Sequence, residues 1–349
     1  MKAPFVWFGG KRRVAPEVWA ALGDVPNYIE PFAGSLAVLL GRPHDMSNGT
    51  RRAETVNDAD GFLANFWRAL AHDPEAVAHW CDWPVNEVDL FARHLWLVNT
   101  GRSRLLEGME ADPDFYDAQV AGWWVWGVNA WIGSGWCSGD GPWVDTGDGI
   151  GKRPHLGNAG QGVNRKRPHL GDAGQGVNRQ LPHLGDAGRA GYNNMEYRPN
   201  VLGYFEELAG RLRDVRVCCG DWSRVCTSGA MSYGSKVGVF LDPPYLGDVR
   251  TADLYAVDDH TISHAVRDWC LEHGDDPRLR IVLAGYRAEH DDLMPDTWRR
   301  HYYSASAAYS TTESAARQDG NHANRANEVL WFSPHCVTPD RQGELWEAL

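Results

Sequence analysis

Asn27-Tyr28-Ile29-Glu30-Pro31-Phe32-Ala33-Gly34-Ser35, followed by the apolar stretch Leu36–Leu40, reads as a short strand, a glycine turn and a helix. That succession opens an α/β nucleotide-binding unit. Glu54–Asp58 fits a second strand ending in an acid, and Phe62, Leu63, Phe66 and Leu70 follow at helical spacing. Working outward, the runs Val215–Cys219, Val237–Leu241, Ile281–Ala284 and Val329–Phe332 are apolar enough for buried strands. Helical stretches at Val201–Leu212 and Thr261–Cys270 lie between them. From 61 to 199 the pattern changes. Val88, Phe91, Leu95 and Val98 mark a helix, another is expected over Phe115–Trp131, and no strand alternation is evident. The fold class expected is α/β, with one domain built from 1–60 and 200–349 and interrupted by a mostly helical insert at 61–199.

The 349 residues are 43% hydrophobic and include 17 tryptophans, which suits a folded globular chain with a sizeable core. A formal net charge of −12 disfavours non-specific coating of nucleic acid, although a local basic surface is still compatible with it. Seven cysteines without a C-x-x-C pair read as reduced thiols in a cytoplasmic protein, and Met1–Lys11 lacks the apolar core of a signal peptide. Ala118–Gly139 carries no charge, but its five tryptophans are spread through it rather than held at two interfaces. It reads as a buried helix ending in a glycine loop, not a membrane span.

Inside the insert, Arg153–Arg165 recurs almost unchanged as Arg167–Arg179 and begins again at Pro182, a period of 14. Its Gly and Pro content forbids a regular helix or strand, so 152–189 is expected to be an extended loop. Gly151–Gly191 holds seven Lys/Arg against two Asp, a basic island in an acidic protein. Arg153, Arg165, Lys166, Arg167 and Arg179 could grip phosphates, and a solvated loop without contacts is the equal alternative. His155, His169 and His183 repeat in register without a second ligand type, so no metal is expected.

The chemistry concentrates in Asp242-Pro243-Pro244-Tyr245, directly after the run Val237–Leu241. Two prolines fix a stiff turn with its carbonyls in set directions. A carboxylate and such a carbonyl can both accept from one amino group, while the tyrosine ring offers a flat face to a base. This is a clamp for a planar amine.

In order and spacing the motifs resemble the Dam-like adenine-specific DNA methyltransferases. Trp7-Phe8-Gly9-Gly10-Lys11 matches W-x-G-G-K, Glu30–Ser35 matches E-P-F-x-G-x, and Asp58 fits the acid after the second strand. Gly220-Asp221-Trp222 fits a later G-D-aromatic element, and Asp242–Tyr245 is the D-P-P-Y. The resemblance covers 1–60 and about 215–335, and one departure is Leu36, where a second loop glycine is usual. It implies a Rossmann-like class I methyltransferase sheet with helices on both faces, and a target-recognition role for the insert. It implies S-adenosylmethionine as cofactor, with Glu30, Phe32 and Gly34 in its loop and Asp58 on the ribose hydroxyls. Asp221 would then accept from the adenine amino group, Trp222 pack on the ring, Lys11 meet the methionine carboxylate, Trp7 line that pocket, and Asp242 border cofactor and clamp alike. Asp58 as a mere cap of the following helix, and Trp7 as core, are the alternatives.

The implied activity is methylation of adenine's exocyclic amine in double-stranded DNA after base flipping. Tyr286, His290 and Ser304–Thr312 lie where the family's later strands and loops would border the site, Asn324–Glu328 precedes the last strand, and none of these, nor any cysteine, is given a catalytic role. Rivals are the amine of cytosine, a protein glutamine, and a DNA-binding module without catalysis. No obligate protein partner is evident, and a companion restriction enzyme is a candidate partner.

Overall fold

The computed structural model describes residues 1–5, 7, 9–43, 52–131, 136–137, 143–145, 150–152, 201–244, 259–303 and 328–338. Tyr245, Arg153, Arg165, Lys166, Arg167, Arg179, the three repeat histidines and Ser304–Thr312 lie outside the described residues. In chain order the first elements are α1 (Ala15–Leu22), β1 (Asn27–Glu30), α2 (Ala37–Leu40) and β2 (Ala53–Asp58). Five helices follow: α3 (Gly61–His72), α4 (Pro74–Cys81), α5 (Glu87–Trp96), α6 (Arg102–Ala111) and α7 (Ala118–Ala130). Next come a short hairpin, β3 (Trp143–Asp145) and β4 (Ile150–Lys152), then α8 (Val201–Leu212), β5 (Val215–Cys219) and β6 (Val237–Leu241). The chain continues with α9 (Asp259–His273), β7 (Leu279–Tyr286), α10 (Arg287–His290), β8 (Arg299–Tyr303) and β9 (Glu328–Phe332).

The chain divides into two units by its contacts. One contains 1–7, 60–213 and 252–256, the other 8–59, 214–251 and 257–349. The contacts place α8 in the helical unit, where it packs on α3 and α4, whereas the apolar pattern grouped 200–212 with the strands.

The second unit is mixed α/β around a seven-stranded sheet ordered β5-β2-β1-β6-β7-β9-β8. The first five strands are parallel, β9 runs antiparallel to β7, and β8 antiparallel to β9. Strands β6 and β9 are buried at every position, as apolar runs covered on both faces should be. Because side chains alternate, Val237, Val239 and Leu241 meet Val266 and Cys270 of α9 in one core, while Gly238 between them lies against Leu22 and Val25. The chain runs outward one way through β1, β2 and β5, then the other way from β6. The order therefore reverses between β1 and β6, the topological position at which open α/β sheets bind ligands outside the strands' carboxyl ends.

The helical unit is packed with aromatic rings. Phe5, Phe66, Trp67 and Trp124 form one cluster, with ring centroids 4.9–5.6 Å apart. Arg93 of α5 is buried among Trp83, Trp123 and Trp126, its guanidinium 4.3 Å from the Trp126 ring. Each such cation–π contact stabilises by ~0.5–2 kcal/mol. Among the described residues no helix is long and apolar enough to cross a membrane. Within the uncharged stretch, Ala118–Ala130 forms α7, whose Trp124 and Trp126 are buried.

Candidate active site

The site is built on the carboxyl ends of four adjacent parallel strands, β5, β2, β1 and β6. After β1 the chain turns through Pro31–Ser35, with Gly34 in the left-handed region at φ 47°. Leu36, which begins α2, is also left-handed at φ 54° and ψ 28°, and it is fully buried. The departure noted in the sequence thus falls on a backbone position that glycine would adopt without strain. A leucine there costs roughly 1–2 kcal/mol, offset by burial of its side chain.

Asp58, at the end of β2, is buried and ties two loops together. Its Oδ2 accepts from Gly34 N (2.9 Å) and its carbonyl accepts from Gly220 N (3.0 Å). It does not cap the following helix. Asp60 does so, accepting from Phe62 N and Leu63 N. Beyond β5, exposed Asp221 caps the turn Trp222–Val225 through Ser223 N. The rings of Phe32 and Trp222 lie 6.2 Å apart and nearly parallel, at 25°. The glycine loop, its acid and Asp221 therefore stand on neighbouring strand ends, as a nucleoside-bearing ligand requires.

Asp242 follows β6, on the other side of the strand-order reversal. Its Oδ1 lies 3.0 Å from Lys11 Nζ, which also donates to Gly9 O at 2.8 Å. The lysine is almost wholly buried, whereas the Asp242 side chain keeps 20% of its surface exposed. An ammonium at that distance fixes the orientation of the carboxylate through a charge-assisted contact. Sequence reasoning gave Lys11 a cofactor carboxylate as partner. In the structure it pairs with Asp242, a partner that no local pattern could have disclosed.

Glu30 points down into the fold. Its Oε2 accepts from the Tyr28 hydroxyl (2.9 Å) and from Leu39 N (3.2 Å), so it anchors α2 to β1. Burial pushes its carboxyl up to about 8. The two hydrogen bonds pull it down, and the negative charge of Asp242 adds to the rise. Trp7 packs on Phe5 and Trp124 in the helical unit. His290 is buried against Ser263 (3.2 Å) and the edge of Trp331, and burial lowers it to about 4. It is therefore a neutral packing group at neutral pH. All seven cysteines are free, and burial pushes the Cys226 and Cys336 thiols up to about 12 and about 11.

Taken together, the fold is α/β, with a glycine loop and three acids gathered at the carboxyl ends of the strands on either side of the order reversal. Residues 7–85 match the family model described as D12 class N6 adenine-specific DNA methyltransferase. This agrees with the Dam-like resemblance, and the likeness supports DNA adenine methylation as an activity. Methyltransferases of this kind generally use S-adenosylmethionine, and DNA is the substrate that the class implies. The matched segment contains the glycine loop and Asp58 but ends well before Asp242. No curated protein matches the chain.

Proposed function

We propose that the chain is a site-specific DNA methyltransferase that transfers a methyl group from S-adenosylmethionine to the exocyclic amine of adenine in duplex DNA. The observation that carries this reading is the placement of Asp242 beside Lys11 at the end of β6, across the strand-order reversal from the Gly34 loop. The strand order, with α1 and α9 packed from alternate faces of β6, supports a Rossmann-like class I methyltransferase sheet. The unit of 8–59, 214–251 and 257–349 would supply catalysis, and the helical unit target recognition.

The residues present fit the cofactor. Gly34 lets the backbone come close, Asp58 would accept from the ribose hydroxyls, and Asp221 with Trp222 and Phe32 would take the adenine. Lys11 would share its charge between Asp242 and the methionine carboxylate. Glu30 acts from beneath, holding Leu39 and so the start of α2. When bound, S-adenosylmethionine supplies an electrophilic methyl group on a sulfonium.

The protein's own share is positioning and electrostatics. Adenine's amino group is hidden in a duplex, so the base must leave the stack at a cost of a few kcal/mol. Stacking on Tyr245, at roughly 1–3 kcal/mol, offsets part of that. Asp242 and the Pro243 carbonyl then accept from the two N–H bonds, which localises the nitrogen lone pair. As nitrogen gains the methyl group it acquires positive charge, which Asp242 stabilises, and one N–H proton leaves towards that carboxylate. Arg153, Arg165, Lys166, Arg167 and Arg179 would hold phosphates. No step needs a secreted or membrane setting, and a cytoplasmic location follows.

Two substitutions separate the halves of the reading. Asp58→Ala should abolish cofactor binding measured by calorimetry, whereas Asp242→Ala should retain binding and lose methyl transfer. Cofactor affinity unchanged by Asp58→Ala would remove the pocket assignment.

A further inference from the structure

We propose that Asn57 is the positioning residue of the cofactor pocket, stapling its two walls together through one amide group. This rests on the reading of those strand ends as the S-adenosylmethionine site. Asn57 is buried in β2, one residue before Asp58. Its Nδ2 donates to Pro31 O (3.0 Å), in the loop after β1, and to Gly220 O (2.9 Å), in the loop after β5. Its own carbonyl accepts from Ala33 N at 2.9 Å.

The orientation of the amide is fixed by chemistry. Both partners are carbonyl oxygens, so only the NH2 end, with two hydrogens on one atom, can face them. The other end, Oδ1, is buried without a hydrogen-bond partner among the described residues. A bare buried acceptor is a liability of ~1–3 kcal/mol, tolerated here because the opposite end joins two loops. A carboxylate in its place would set an anion against two carbonyls. Serine could satisfy only one.

Asn57 and Asp58 together therefore hold the glycine loop at Pro31, Ala33 and Gly34, and the second loop at both polar groups of Gly220. The division of labour is specific. Asp58 presents the oxygen that a ribose would meet. Asn57 touches no ligand and sets the distance between the wall that carries Phe32 and Gly34 and the wall that carries Asp221 and Trp222.

Losing the staple should therefore weaken cofactor capture while sparing the clamp. The test uses the full chain with S-adenosylmethionine and duplex DNA, comparing Asn57→Leu, similar in shape without donors, with Asn57→Ser. Asn57→Leu should raise the KM for the cofactor roughly tenfold, in line with two net hydrogen bonds partly lost. Both kcat at saturating cofactor and KM for DNA should stay within about twofold, and Asn57→Ser should fall between. Without any ligand, hydrogen exchange at Ala33, Gly34 and Gly220 should quicken in the same order. An unchanged cofactor KM, or kcat and both KM values moving together with thermal stability, would overturn the assignment. So would unaltered protection of those three amides. Absence of cofactor binding by the native chain would instead remove the parent reading, and the amide protection would still decide whether Asn57 joins the loops.

Discussion

Glu30 offers a prediction whose size follows from the geometry. Its carboxyl is wholly buried, hydrogen-bonded to Tyr28 and Leu39, and raised from 4.5 to about 8. In the unfolded chain it would ionise near its ordinary value. Between about pH 4.5 and 8 the folded chain therefore keeps a proton that the unfolded chain has released, and stability must fall as pH rises across that window. Below it both states are protonated, and above it both are ionised. At about 1.36 kcal/mol per pH unit, the loss across the window comes to about 5 kcal/mol. Glu30→Gln supplies a test, because the amide oxygen can accept from the same two donors and does not titrate. Near pH 5 the variant should lie within about 1 kcal/mol of the native chain, the scale of one altered hydrogen bond. Near pH 8 it should be more stable by about 3–5 kcal/mol. Urea unfolding over this pH range, read from protection of the β1 and β6 amides, measures the difference directly, since other titrating groups cancel. A constant difference across the range would refute the placement of a buried, protonated carboxyl beneath the glycine loop.

Leu36 should invert a familiar order. Leu36→Ala keeps the left-handed backbone and loses the burial, whereas Leu36→Gly relieves the backbone. Glycine should therefore be less destabilising than alanine by about 1 kcal/mol in thermal unfolding, although both lie below the native chain. Lys11→Met leaves Asp242 without its cation and should cost roughly 2–4 kcal/mol of stability with a marked loss of methyl transfer. Unchanged stability would mean that the 3.0 Å pair contributes nothing. Removal of 152–189 should weaken DNA binding and flatten the slope of log K against log salt by up to about 4–5 if Arg153, Arg165, Lys166, Arg167 and Arg179 grip phosphate. An unaltered slope would leave a solvated loop.

How much of this was legible in the sequence depends on where the information lies. The buried strands announced themselves because Val237–Leu241 and Val329–Phe332 are apolar without interruption. β8, Arg299-Arg300-His301-Tyr302-Tyr303, lies at the sheet edge and carries no such run. The β3–β4 hairpin has three residues per strand, too few to show alternation. α8 reads as part of the α/β pattern because it adjoins β5 in sequence, yet its apolar face, Val201, Phe205, Leu208 and Leu212, is buried in the helical unit. In the site, Asp58 and Asp242 were readable as acids at strand ends. The partners of Lys11 and Asn57 were not, since each is fixed by segments brought together only when β1, β2, β5 and β6 pair. Glu30 carried a motif position but no sign that its side chain turns inward.

Identifying the methylated base separates adenine from every rival acceptor. Purified full-length chain, duplex DNA and S-adenosylmethionine with a labelled methyl group would be incubated, and the DNA digested to nucleosides. The expected result is label in N6-methyldeoxyadenosine, absent when Asp242→Ala replaces the native chain. Label in methylated cytosine, label in protein, or near-normal incorporation by Asp242→Ala would contradict it.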